Sequence, residues 1–369
     1  MRTHVPDSNR RTLYSQCIIL GLLVLVSSNH VLRAQEMRYV CRVYNIWEQV
    51  PIKSLEFSRD GRQLAVAAQS AGAPDLRVID LLLPQPELGK PTILELGNRH
   101  SGECARFSPD GRFVTSGAFG PGIDIWDIAK AKLVHSFTTN FLSVNTVAFS
   151  HNGELLVASG MKDSKTNRDN DELILFDVKQ RQQLAAIPLA YDPTHLIFSP
   201  DGRLIYGADT LDSLFVVDVE KRQVVKKWTA FDDDAKDAGV LGLSLSRDGK
   251  RLASGGRDKK VKIWDAETGK LVKSFDGHEE QVLSVALSPD GKYVASGGFD
   301  GRLWVRDVES GRTVEYLSYG DNRPYSVTFS PDSQWLASGA ADGRIFLDRV
   351  ADFQFLNPTP NAVPQPSKN

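Results

Sequence analysis

Cysteine is scarce: three in 369 residues, at Cys17, Cys41 and Cys104. So few exclude a disulfide-stapled scaffold, and none stands at metal-ligand spacing from another. Cys17 lies within an apolar run. Cys41 and Cys104 could form at most one bridge, and both read as small hydrophobes. An excess of one charge is also missing, since the formal net charge is −2. A mildly acidic chain lacks the electrostatic footprint of a nucleic-acid binder and a polybasic membrane patch. Helical periodicity is not convincing anywhere. The longest apolar run covers only Cys17 to Val26. As a helix it would rise about 15 Å, roughly half the hydrocarbon core of a bilayer.

That run has a recognisable setting. Arg10 and Arg11 precede it, and Ser27 and Ser28 follow it. A positive flank, a short apolar stretch and small residues form the order of a secretory signal. Residues 1–34 are therefore expected to be a signal cut after Ala34 or near Ser28, with an uncleaved anchor as the alternative. The expected location is secreted, periplasmic or cell-envelope.

What the chain has in abundance is self-similarity. An apolar residue, Ser, Pro or Arg, Asp, Gly and a basic residue recur in order. The phrase reads Phe57-Ser58-Arg59-Asp60-Gly61-Arg62, then Phe107-Ser108-Pro109-Asp110-Gly111-Arg112. A looser Phe149-Ser150-His151-Asn152-Gly153 precedes Phe198-Ser199-Pro200-Asp201-Gly202-Arg203. The later copies begin at Leu245, Leu287 and Phe329. Pro presets φ in such a turn, Ser and Asp bond to local backbone, and Gly takes positive φ. Apolar alternation flanks each copy, as Val282, Val285 and Leu287 do before Tyr293 and Val294. Strand, tight turn and strand make a β-hairpin.

A second phrase follows each hairpin and ends in Asp, as in Ile123-Asp124-Ile125-Trp126-Asp127 and Val261-Lys262-Ile263-Trp264-Asp265. It predicts a third strand, and stretches such as Lys270 to Phe275 predict a fourth. The expected fold class is all-β, a seven-bladed β-propeller of four-stranded antiparallel blades over residues 35–356. Residues 357–369, with Pro358, Pro360, Pro364 and Pro366, read as a Pro-rich disordered tail. The seventh repeat shows three strands. Met37 to Tyr44 is favoured as its fourth, with Phe353 to Leu356 as the rival.

These residues resemble the WD-repeat family. Trp126-Asp127 and Trp264-Asp265 are similar to its namesake dipeptide, and Gly277-His278 to its Gly-His signature. Ala253 to Gly256 and Ala295 to Gly298 are similar to its second strand. The resemblance covers about residues 38–349 and implies blade hydrogen-bond chains of His, Ser, Asp and Trp. No blade carries all four. The second blade contributes Trp126 and Asp127 as structural residues. The fifth has Ser254, Asp258 and Trp264, with Lys236 near the His position. The sixth has His278, Ser296 and Asp300, with Arg306 in place of Trp.

In such a ring the Ser-Pro-Asp-Gly turns lie on one face, and the loops joining second to third strands and blade to blade lie on the other. The two insertions, 161–171 and 231–238, fall in the second group. Loops on a rigid scaffold commonly carry function. Arg99, Arg257, Phe299 and Arg323 are the candidate partner-binding residues, because Arg and aromatic side chains are enriched in hot spots. Asp232 to Asp234 and Asp169 to Asp171 lack calcium-loop spacing. No nucleophile elbow, phosphate loop or zinc motif is present. His100, His135, His151 and His195 are dispersed. The expected function is an exported noncatalytic scaffold for a protein or peptide, acting as a monomer, with no nucleic acid, metal or cofactor. The alternatives are a hydrolase or lyase at the central channel and a structural envelope module.

Overall fold

The computed structural model describes residues 42–45, 50–69, 76–81, 92–96, 102–162, 171–231 and 239–353. The segments read as signal and as Pro-rich tail lie outside the described residues. The described residues form seven four-stranded antiparallel sheets. Each sheet runs from an inner strand a to an outer strand d. Blade one comprises Ile52–Phe57, Gln63–Ala68, Leu76–Asp80 and Thr92–Leu96. Blade two comprises Gly102–Phe107, Phe113–Ala118, Gly122–Asp127 and Lys132–Thr138. Blade three follows with Ser143–Phe149, Leu155–Met161, Asp171–Asp177 and Gln182–Leu189. Blade four has Pro193–Phe198, Leu204–Asp209, Ser213–Asp218 and Gln223–Thr229.

Blade five is Val240–Leu245, Arg251–Gly256, Val261–Asp265 and Leu271–Phe275. Blade six is Val282–Leu287, Tyr293–Gly298, Arg302–Asp307 and Thr313–Ser318. Blade seven takes three strands from the C-terminal side, Pro324–Phe329, Trp335–Ala340 and Arg344–Arg349. Its outer strand is Arg42–Asn45, antiparallel to the third with Arg42 opposite Leu347. The N-terminal segment therefore closes the ring. After a 3-10 turn, Val350–Asp352, Phe353, the first residue of the rival segment, packs onto the core between blades six and seven, and 354–356 lie outside the described residues.

Seven apolar cores lie one at each junction between neighbouring blades. Leu76, Val78 and Leu96 of blade one meet Ala105 and Phe107 of blade two, for example. Ile52, Leu55 and Phe57 meet Trp335, Ile345 and Leu347 across the closure. Each cluster draws on two sheets, so a lone repeat would leave its apolar side in water. The second strands are the most deeply buried, as in Gln63–Ala68 and Trp335–Ala340.

The repeated turn builds its own hydrogen-bond set. Ser199 Oγ donates to Asp201 Oδ1 at 2.6 Å, while accepting the N–H of Leu204 at 2.9 Å. Asp201 also accepts the N–H of Arg203 at 3.1 Å. The same geometry recurs around Ser58, Ser108, Ser246, Ser288 and Ser330. Gly202 sits at φ 72°, which L side chains disfavour; the seventh turn places Ser333 there at φ 60°. In blades two to six the Asp ending the third strand caps the next turn. Asp218 Oδ1 accepts the N–H of Lys221 at 2.9 Å, and Asp265 that of Thr268 at 2.7 Å.

The inner strands have an unpaired edge that a neighbouring blade must satisfy. Ser54 Oγ accepts the N–H of Ala105, Ser284 Oγ that of Val327, and Ser326 Oγ that of Leu55. Two residues further along its strand, Ser244 Oγ accepts the N–H of Leu287 at 3.0 Å. The Glu56 carboxylate accepts that of Phe107 at 2.5 Å.

Candidate interaction face

In an antiparallel blade, the a–b and c–d turns share one end and the b–c and d–a connections share the other. The Ser-Pro-Asp-Gly turns occupy the first end. Among the described residues, ten large hydrophobic side chains are exposed. Phe119, Leu142, Met161, Tyr191 and Leu211 all lie at the b–c and d–a end. Ile93, Val224, Val225, Leu271 and Val272 lie on outer strands. None lies in a Ser-Pro-Asp-Gly turn.

The five on the loop face form one belt across blades two to four. Phe119 and Gly120 each bridge to Ser143. The N–H of Gly120 donates to Leu142 O, and the N–H of Leu142 donates to Met161 O, both at 2.8 Å. Lys162 follows and reaches Glu172 at 2.8 Å, while Asn140 donates to the same carboxylate at 2.9 Å. Asp171, beside Glu172, sets its negative charge against Asp192. Tyr191 lies beneath the ammonium of Lys227 at 5.2 Å, and Lys227 bridges to Asp209 at 3.6 Å. Asp209 in turn accepts the N–H of Leu211 at 3.2 Å. Burial raises Asp192 to about 7, aided by Asp171, against the pull of Lys162.

The residues chosen from sequence fall on the same end of the blades but elsewhere around the ring. Arg99 lies outside the described residues, as do 163–170 and 232–238 of the two insertions. Arg257 is exposed just after the second strand of blade five. Arg323, entering blade seven, stacks on Phe299 of blade six with its guanidinium carbon 3.5 Å from the ring centroid. The apolar belt was missed. Its signal is nonetheless readable: Phe119 and Met161 hold or adjoin the corner after the second strand, where the later blades have Arg257 and Phe299.

The structural residues of the resemblance are distributed over several partial networks. Trp264 Nε1 donates to Ser254 Oγ at 2.8 Å in blade five. Asp258 there pairs with Lys262 at 3.0 Å, and Lys262 also donates to Ala230 O at 2.7 Å. Lys262, opposite Ser254 in register, thus supplies the cation to Asp258. In blade six His278 Nε2 meets Ser296 Oγ at 2.9 Å and Nδ1 meets Asp300 at 3.1 Å. Arg306 takes a separate route, donating to Asp276 O at 2.6 Å and lying over Trp304. In blade seven Tyr319 fills the equivalent role, its hydroxyl 2.7 Å from Ser338 Oγ. Asp127 of blade two is buried and caps the turn through Lys130 N–H at 3.1 Å. Trp126 packs against the core between blades one and two.

Lys53, Glu56, Glu103, Arg106 and His195 lie on the inner strands. Burial raises the Glu56 carboxyl, against the pull of Arg106 and the Phe107 N–H. Burial also raises Glu103, against Lys53. His195 is driven down to about 4 by burial and by Arg106. Lys53 lies over the Tyr325 ring at 4.7 Å. Glu56 is thus committed to holding blade one to blade two. Cys104 is a buried free thiol, pushed up by burial. Among the described residues no group of three or more His, Cys, Asp or Glu is arranged to hold a metal ion.

A closed ring of seven four-stranded blades with these turns defines a class, the seven-bladed β-propeller, and its repeats are similar to those of the WD-repeat family. The family described as "WD domain, G-beta repeat" matches residues 131–166, 269–307 and 316–347. The "Anaphase-promoting complex subunit 4 WD40 domain" matches 226–286. Each WD match opens on or near an outer strand and runs into the next blade, so the sequence unit is offset from the structural one. Over 182 residues, 47% of this chain and 54% of the relative, it is 29% identical to MST50-interacting protein 11 of Pyricularia oryzae. It is 28% identical over 180 residues to small ribosomal subunit protein RACK1 of Neurospora crassa, covering 47% and 54%. With human pre-mRNA-processing factor 17 it shares 24% identity over 186 residues, 50% of this chain and 31% of that one. The chain thus spans about half the length of the first curated relatives it matches.

These relatives correct the expected location. A ribosomal-subunit protein and a pre-mRNA-processing factor work inside cells, so they overturn the secreted, periplasmic or cell-envelope placement. The apolar run behind that reading is too short to decide location by itself. Among the described residues, no helix is long and apolar enough to cross a membrane.

Proposed function

We propose that the chain is a noncatalytic scaffold that binds a protein or peptide through its b–c and d–a loop face. The carrying observation is the division of exposed large apolar side chains among the described residues: five in the loops of that face and none in the Ser-Pro-Asp-Gly turns. Contiguous exposed apolar surface marks interaction sites. Arg257, Phe299 and Arg323 extend the same face over blades five to seven, and the preformed Arg323–Phe299 stack offers a rigid anchor. RACK1 and pre-mRNA-processing factor 17 carry names of assembly components, which supports a protein partner.

A photo-crosslinking amino acid at Leu142 or Arg257 tests this reading against one at Arg203 on the opposite face. Protein adducts in a lysate of the native cells are expected at the first two positions and not the third. Adducts confined to Arg203 would overturn it.

A further inference from the structure

The apolar belt has an acidic border. Asp171, Glu172, Asp192 and Asp209 stand along it, with Asp212 beside Leu211. Both ammonium groups there are already engaged: Lys162 with Glu172, and Lys227 with Asp209. Asp192 Oδ1 is buried without a hydrogen-bond partner, and the charge of Asp171 adds to its burden. Such a carboxyl resists losing its proton until a cation arrives. The border therefore favours positive charge, while Phe119, at 55% exposure, and Leu142, at 47%, offer apolar contact on either side of one backbone bridge.

We propose that the belt Phe119–Leu142–Met161–Tyr191–Leu211 docks a partner segment that combines large apolar side chains with Lys or Arg. It rests on the loop-face reading and narrows it to blades two to four and to one partner chemistry. The apolar side chains of the segment cover the belt. A cationic side chain takes the place of the proton held by Asp192. Groups facing Asp171 and Asp192 are Glu172 of the same strand as Asp171, Lys162 from blade three's second strand, and Asp209, Asp212 and Lys227 from blade four. Both ammonium groups among these are held by other carboxylates, Lys162 by Glu172 and Lys227 by Asp209, and the pull of Lys162 on Asp192 is outweighed by burial and Asp171.

The test uses the full chain and three synthetic peptides of equal length. One alternates Leu with Arg, one alternates Leu with Glu, and one alternates Ser with Arg. Calorimetry at pH 6 and pH 8 is expected to show binding by the Leu–Arg peptide alone, tighter at pH 8, with proton release seen as buffer-dependent heat. Phe119→Ser with Leu142→Ser should weaken it at least about fivefold, as loss of an interface anchor does. Asp192→Asn should weaken it about twofold to fivefold, as loss of a rim charge pair does, and abolish the pH dependence. Unfolding curves of both variants establish that they remain folded.

Equal binding of Leu–Glu, or no binding of Leu–Arg at millimolar concentration, overturns the proposal. If Leu–Arg binds but responds only to Arg257→Ser and Arg323→Ser, the loop face stands and the belt fails as the docking track. If it responds to neither set but crosslinks to Arg203, both readings fail.

Discussion

Ser326 Oγ accepts the backbone N–H of Leu55 at 2.9 Å, across 271 residues of sequence and across the closure of the ring. Leu55 belongs to blade one and Ser326 to blade seven, and the bond is buried. Replacing Ser326 by Ala removes the acceptor and leaves a buried N–H without it. The expected loss is about 1–3 kcal/mol. Equilibrium denaturation in urea measures it. Ser284→Ala, which removes the same kind of bond to Val327 inside the ring, provides the matched comparison.

The turn glycines separate conformation from crowding. At Gly202, φ is +72° and an added Cβ would meet nothing within 4 Å. Gly202→Ala should therefore lose only the left-handed backbone preference, about 1–2 kcal/mol. Gly249 has the same φ, but its Cβ would stand 3.0 Å from Pro200 Cδ of the preceding blade's turn. Gly249→Ala is expected to lose more. Ser333 holds the equivalent backbone in blade seven at φ 60°, so Ser333→Gly should raise stability. Denaturation midpoints of the three variants give the order directly.

Lys262 and Asp258 form an ion pair whose side chains are 5% and 10% exposed. Burial raises the Asp258 carboxyl, and Lys262 pulls it back. Lys262→Met would strip the cation from a buried carboxylate and should lower stability by about 3–5 kcal/mol. The double variant Lys262→Met with Asp258→Leu should recover much of that loss, because both buried charges then disappear. A chemical-denaturation cycle over the four proteins measures the coupling. A double variant no more stable than the single one would contradict this account.

The contrast between blades shows which parts of the molecule were legible in its sequence. Turn chemistry is local, so Ser199, Asp201 and Gly202 announce a hairpin within six residues. The third-strand Asp is equally local, since Asp265 caps a turn at Thr268. Closure by Arg42–Asn45 was legible only because the seventh repeat has three strands of its own. The blade networks were less readable, because they depend on which side chain crosses a gap. Lys262 serves Asp258 and Tyr319 serves Ser338, and neither residue type advertises that role. The apolar belt was hidden for a different reason: Phe119 and Leu142 read as ordinary hydrophobes, and only the ring leaves them in solvent. The corrected expectation was cellular location, drawn from Cys17 to Val26, a segment outside the described residues.

The Asp171–Asp192 pair predicts a pH dependence opposite to that of the turn aspartates. Asp218 is held below its ordinary range by the N–H of Lys221, then by the ammonium of that residue. Its contribution is present above the unfolded value and fades as pH falls through the lowered one. Asp192 is raised to about 7, chiefly by burial and then by Asp171. Between about pH 4, where an unfolded aspartate titrates, and pH 7, the folded state holds a proton that the unfolded chain has released. Stability therefore declines as pH rises through that window and levels off above it. Asp192→Asn should flatten the decline without altering the acid limb set by Asp218. Urea unfolding from pH 3 to pH 8 checks both limbs, and an unchanged slope between pH 4 and 7 in the variant would show that Asp192 does not hold the proton.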